Sequence, residues 1–326
     1  MIFKKIILLV IILFICFVPY KEPSAPANNT NTDYIKWFDF SVPSEALKYC
    51  AKLDIESVNS AKKISWIDLL AILACKHGPD FKNYKNSLAD EAANQLKNGV
   101  SAFEASGKSK YFSYYYEGYS CVLSGLIGYY KININGESEV KYGVKAFHPI
   151  AKGYSFSHYR DFGAQRSYGF KRTHLGNDIL ASQGVPIAAV ESGIVEAVGW
   201  NTYGGWRLGI RSFDSGRYYY YAHLRKNKPY TKDFKPGDIV TAGDIIGYVG
   251  MTGYSTKENT ENINIPHLHF GIQLIFDESQ KDANSQIWID VYDIIEFLKP
   301  YRVDVKKNPA GDIERMYEMF DPAVYD

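Results

Sequence analysis

The spacing of apolar residues changes character three times along the chain. An unbroken apolar run, Ile6 to Val18, comes after Lys4 and Lys5 and ends at Pro19. As a helix it would span ~20 Å at about 1.5 Å per residue, short of a ~30 Å hydrocarbon core. Residues 1–20 therefore read as a secretory signal, with an uncleaved anchor through residues 6–18 as the alternative. Either reading exports the rest of the chain. A polar Pro/Asn/Ser/Thr spacer occupies residues 21–33. From Tyr34 the period becomes helical, with "SEALKYCAKLDI", "SWIDLLAILACKHG" and "SLADEAANQLKNG" carrying serine caps or glycine stops. The aromatic stretch "SKYFSYYYEGYSCVLSGLIGYY" is expected to close this helical group, which makes residues 34–135 a small all-α domain of unassigned role. "NINGESE" reads as a linker or tight turn.

From about Lys141 the period shortens to two. "GVPIAAVESGIVEAVGW", "WRLGIRSFDSGRYYYYAHL" and "FKPGDIVTAGDIIGYVG" alternate apolar and polar positions between glycine turns. Many short strands joined this way predict an antiparallel all-β domain over 141–300. Near its end "WIDVYDIIEFLKPY" is predicted helical, capped by Asp290 and stopped by Pro300, and 301–326 is expected to be an ill-packed tail with one short helix.

Composition adds exclusions. The 326 residues are 46% hydrophobic and 22% charged, a globular balance with room for two cores. A formal charge of +1 and no basic run argue against a nucleic-acid partner. Cys16, Cys50, Cys75 and Cys121 all precede residue 125 and leave an odd number once a signal is removed, which is not a disulfide framework. With no cysteine in the second half, a metal there must be held by nitrogen and oxygen.

That half places its histidines in patterns. "THLGNDIL" sets His174 and Asp178 four apart around Gly176, "YYYYAHL" ends a tyrosine-rich strand on His223, and "HLHF" puts His267 and His269 two apart. Residues two apart share a strand face about 7 Å from each other and can reach one small centre. A catalytic zinc takes three protein ligands and leaves a position for water, lowers that water's pKa toward ~7 and polarises a carbonyl. His148 and His158 fit no motif and read as loop histidines. Tyr218 to Tyr221 alternate faces, so two are expected in the core and two beside a groove. Asn201, Tyr203 and Trp206 follow a strand near that groove, and Arg172, Arg207 and Arg225 could meet carboxylates, although solvated surface is the expectation for any single one of them.

Over residues 145–300 the ordered motifs "HLGND", "YAHL" and "HLHF" resemble the lysostaphin and LytM-type zinc endopeptidases of bacterial cell walls. The glycine-turn hairpins support the likeness. The resemblance implies a duplicated hybrid motif-like β fold and one zinc per chain on His174, Asp178 and His269. It also implies that His223 and His267 flank the water, and that a peptidoglycan peptide is the substrate. The helical segment in front, with no wall-binding repeat, is most similar to sporulation-associated LytH-type peptidases, which cleave L-Ala–D-Glu in the stem peptide. On that reading Arg172, two residues before the first ligand, would meet the D-Glu carboxylate. A non-catalytic envelope scaffold on the same fold is the competing reading, although no ligand is missing here. A biotinyl- or lipoyl-type carrier is excluded, because the hairpin tips read "ESG" and "TAG" and lack a lysine.

Overall fold

The helix-period segment after Tyr34 folds as Ser44–Glu56, Trp66–His77, Asn86–Lys97, a single turn Ala102–Ala105, and Phe112–Leu123. These belong to a computed structural model that describes residues 34–134, 136–167, 171–282 and 284–324. The apolar run of residues 1–20 and the spacer 21–33 lie outside the described residues. The 66–77 helix is apolar over most of its surface, apart from Asp68 near its start and Lys76 and His77 at its end, and buries Leu69, Leu70, Ile72 and Leu73, which places it at the centre of the group. Ser65 accepts the amides of Ile67 and Asp68 at its start, and Gly78 ends it at φ 92°. No helix among the described residues is long and apolar enough to cross a membrane.

Two segments differ from expectation. The aromatic helix stops at Leu123, and Ile127–Ile134 is a strand paired antiparallel with Glu137–Val144. Its β-branched and aromatic residues favour the extended form, and the turn read at "NINGESE" joins the two. The tail is also ordered. Val305–Lys307 pairs with Ile313–Arg315, and Glu318–Phe320 pairs with the 127–134 strand. Arg302 donates to the carbonyls of Ile150, Ala151 and Tyr154, and Lys145 meets the buried Asp321 at 2.7 Å.

The strand-period region forms an antiparallel sheet in the order Ile239–Val240, Gly193–Asn201, Gly205–Ser212, Arg217–Ala222, His267–Leu274, Asn177–Leu180, Ser157–His158. Ile287–Ile289 adds to the end of the 267–274 strand, so only Tyr292–Leu298 of "WIDVYDIIEFLKPY" is helical, with Asp290 accepting the Tyr292 amide at 2.9 Å. The period-two reading holds. Leu208, Ile210, Tyr219, Tyr221, Leu268, Phe270 and Ile272 are buried on one face, while Tyr218, Tyr220, His267 and His269 occupy the other. The helices and this sheet share one buried core, and residues 34–326 form one compact unit. Trp66 packs on Phe297 at 5.6 Å, and the fully buried Arg217 joins Glu191 of the sheet region to the Cys121 carbonyl and Ser124 at the end of the last N-terminal helix.

Candidate metal centre

Strand register assembles the first site residues. Asp178 and His269 are direct partners across the 177–180 and 267–274 strands, so their side chains share a face. His174 enters from just before, and Gly176 makes the approach possible. A Cβ on Gly176 would lie 2.8 Å from the His269 ring and 2.7 Å from the Phe270 carbonyl. One donor atom from each of His174, Asp178 and His269 lies within 4.8 Å of the others. His174 Nε2 is 2.8 Å from His269 Nδ1 and 3.1 Å from Asp178 Oδ1, which is 3.3 Å from His269 Nδ1. Two imidazole nitrogens and a carboxylate facing one another at this range call for a proton or a cation between them. The set could hold one metal ion and suits one that prefers nitrogen and oxygen donors.

The charges around this cluster are lopsided. Burial disfavours charge on His174, but bonds to Asp161 and Asp178 outweigh it and raise its pKa to about 9. Burial and the neighbouring His174 outweigh Asp178 at His269, whose pKa falls. Of the two rings, His174 favours the protonated form and His269 disfavours it. Burial also works against the Asp178 carboxylate, yet its histidine partners hold it well below the usual range.

His223 and His267 stand beside this cluster, their ring centroids 4.9 Å apart, and His223 lies 5.8 Å from His269. His223 Nδ1 is 2.9 Å from the Thr252 carbonyl, and His267 Nδ1 is 2.8 Å from the Ile265 carbonyl. A carbonyl can only accept, so each Nδ1 carries its proton and each Nε2 is left for the pocket. His267 Nε2 lies 3.6 Å from Asp178 Oδ1. Burial first, then His267 and His269, keep the His223 pKa well below the ordinary value, so the ring is neutral.

The remaining sequence candidates divide. Arg172 and Tyr203 line both the metal pocket and an adjoining groove, while Asn201 and Arg207 line the groove. Trp206 turns its indole to Asn259, and Arg225 lies over the Tyr248 ring at 4.2 Å, away from both cavities. His148 is buried against Phe156, and His158 bonds Glu296, so neither joins the centre. As expected, Tyr219 and Tyr221 are core and Tyr218 and Tyr220 line the groove.

Residues 172–283 match the model of Peptidase family M23. The chain carries a Peptidase family M23 domain. It is 34% identical over 184 residues to an L-Ala–D-Glu endopeptidase of Bacillus subtilis (strain 168), a match covering 56% of this chain and 52% of that protein. It is 40% identical over 127 residues to lysostaphin of Staphylococcus simulans, covering 39% and 21%. The chain thus spans about half of the first relative's length and about a fifth of the second's. The crystal structure named for a glycyl-glycine endopeptidase, LytM, of Ruminococcus gnavus has the same fold, with a TM-score of 0.53, 22% identity, and coverage of 82% of this chain and 91% of that one.

Two residues beside the cluster belong to none of the sequence motifs, and both precede the matched segment. The Asp161 carbonyl is 3.0 Å from His174 Nδ1, and its carboxylate accepts the Asp178 amide at 3.2 Å. Arg166 bridges Asp161 and Asp178 at 2.7 and 3.1 Å. Asp161 lies thirteen residues before His174, on a loop whose return to the ligands no local period announces.

Proposed function

We propose that this protein is a zinc-dependent endopeptidase acting outside the cytoplasm on the peptides of peptidoglycan, with the L-Ala–D-Glu bond of the stem peptide as its target during sporulation or wall remodelling. The observation that carries this reading is the convergence of His174, Asp178 and His269 on one point, with two tethered histidines beside it. The relative named L-Ala–D-Glu endopeptidase supports the choice of bond. A scaffold that had lost catalysis would be expected to lack a member of this set, and all five residues are present.

His174 Nε2, a carboxylate oxygen of Asp178 and His269 Nδ1 would hold the zinc. When bound, zinc lowers the pKa of water and polarises the scissile carbonyl. The chain supplies the rest. His223, neutral and with Nε2 facing the pocket, takes the proton of the attacking water and returns it to the departing amine. His267 presents its Nε2 to the same space, where, as an imidazolium protonated on both ring nitrogens, it would donate to the charge developing on the carbonyl oxygen. Asp161 and Arg166 fix the tautomer of His174 and the orientation of Asp178.

The test separates holding metal from using it. His269→Ala should fall from one zinc per chain to almost none by elemental analysis. His223→Ala and His267→Ala should keep their zinc and fold, and lose ~10²–10⁴-fold in turnover. Full zinc in His269→Ala would sink the ligand assignment, and normal turnover in both other variants would sink their roles.

A further inference from the structure

The metal centre opens onto a groove of about 710 Å³ whose floor is the outer face of the sheet. Tyr218 and Tyr220 form much of that floor. A Cβ on Gly209, opposite Tyr220, would lie 1.9 Å from the Tyr218 hydroxyl, so the glycine makes room for a ring laid along the sheet.

The lining is strongly cationic: Arg172, Arg207, Arg211 and Lys281 against one carboxylate, Glu196. Three of the four cations are engaged. Arg211 donates twice to Glu196, at 2.6 and 2.7 Å, and Lys281 meets Glu278 at 2.6 Å. Arg172 lies over the rings of Tyr203 and Tyr254, at 5.3 and 5.1 Å, and donates to the Tyr254 hydroxyl. The Arg207 side chain has neither a hydrogen-bond nor an ion-pair partner among the described residues, although it is half-buried in the groove. A partly desolvated guanidinium without a counter-charge is costly, and a carboxylate can meet its fork with two parallel bonds.

Its position fits a peptide held at the metal centre. Leu208, Tyr221 and Phe270 are register partners, so the next row on the opposite face is Arg207, Ala222 and His269. Two strand spacings put Arg207 about 10 Å from His269 along that row, a span of about three extended residues. We propose that Arg207 is the carboxylate-binding residue of this groove. It selects peptides that carry a free carboxylate, such as the branch carboxylate of a γ-linked D-Glu, within about three residues of the cleaved bond. This rests on the endopeptidase reading for the placement of the peptide. It moves the anion contact from Arg172, nearest in sequence but already engaged by tyrosines, to the cation the fold leaves unpaired.

The test uses the zinc-loaded full chain and two end-blocked L-Ala–γ-D-Glu–L-Lys peptides, one with the D-Glu carboxylate free and one with it converted to carboxamide. Calorimetric titration should show the acid binding at least about tenfold more tightly than the amide. Arg207→Gln should shrink that difference below about twofold with zinc content and melting temperature unchanged, and Arg207→Lys should retain part of it, because a lysine keeps the charge without the fork. Equal binding of acid and amide by the unmutated protein would overturn the assignment, as would a preference that survives in Arg207→Gln. Cleavage followed in the same samples keeps the two proposals apart. An Arg207-dependent preference with no bond cut would leave the carboxylate site standing and refute the peptidase reading. Both peptides cut and bound alike would do the reverse.

Discussion

Three of the four imidazoles of the centre are specified by what their far nitrogen touches. His174 is tied to the Asp161 carbonyl, His223 to Thr252 and His267 to Ile265, which frees the other nitrogen of each ring for the pocket. The juxtaposition of four of the five central residues is legible in the sequence because its pattern is local: a two-residue period puts His267 and His269 on one face, and a glycine between His174 and Asp178 lets both turn to one point. The tethers are not legible, since a main-chain carbonyl can come from any residue type and Asp161 meets His174 through a loop. Asp161 gives a prediction at this scale. Its carboxylate accepts the Asp178 amide and Arg166, so Asp161→Ala should weaken zinc affinity ~10–100-fold with the ligands intact. Competition with a chromogenic chelator would measure it, and unchanged affinity would show that Asp161 has no part in holding the metal.

Elements follow their periods wherever one face is buried, and depart where long-range pairing decides the form. The 127–134 strand comes after a run of aromatics that also suits a helix, and it is extended because the 137–144 strand and the 318–320 segment pair with it. The tail departs from expectation for the same reason: its partners lie some 150 to 190 residues earlier in the chain. One buried group ties the helices to the sheet. Arg217 donates to both oxygens of Glu191, at 2.8 and 3.0 Å, and to the Cys121 carbonyl at 2.5 Å. Arg217→Met would strand a buried carboxylate and should cost ~3–5 kcal/mol. In hydrogen exchange the 112–123 helix should lose protection more than the 267–274 strand. A loss below about 1 kcal/mol in urea unfolding would show that this contact does not join them.

At the scale of the whole molecule, acid should weaken the fold through a residue remote from the metal. His148 is fully buried, accepts the Ile150 amide at Nδ1 and leaves Nε2 without a hydrogen-bond partner among the described residues. Burial pushes its pKa down to about 3. Between that value and the ~6.5 of an unfolded histidine, unfolding takes up a proton. Its contribution is therefore complete above about pH 6.5 and is lost as the pH falls toward 3, with a slope of up to ~1.4 kcal/mol per unit. His148→Asn keeps an acceptor for Ile150 without the titration and should flatten the urea-measured profile over that window; an identical slope in both proteins would exclude His148 as the cause. The central claim is that the tethered histidines and a bound zinc cut a stem peptide. Mass spectrometry of peptidoglycan digested by the zinc-loaded protein tests it most directly, with the His223→Ala variant beside it. The expected digest contains fragments with a new D-Glu amino terminus, absent when the variant is used. Peptidoglycan left intact by the zinc-loaded protein, or the same fragments released by His223→Ala, would contradict it.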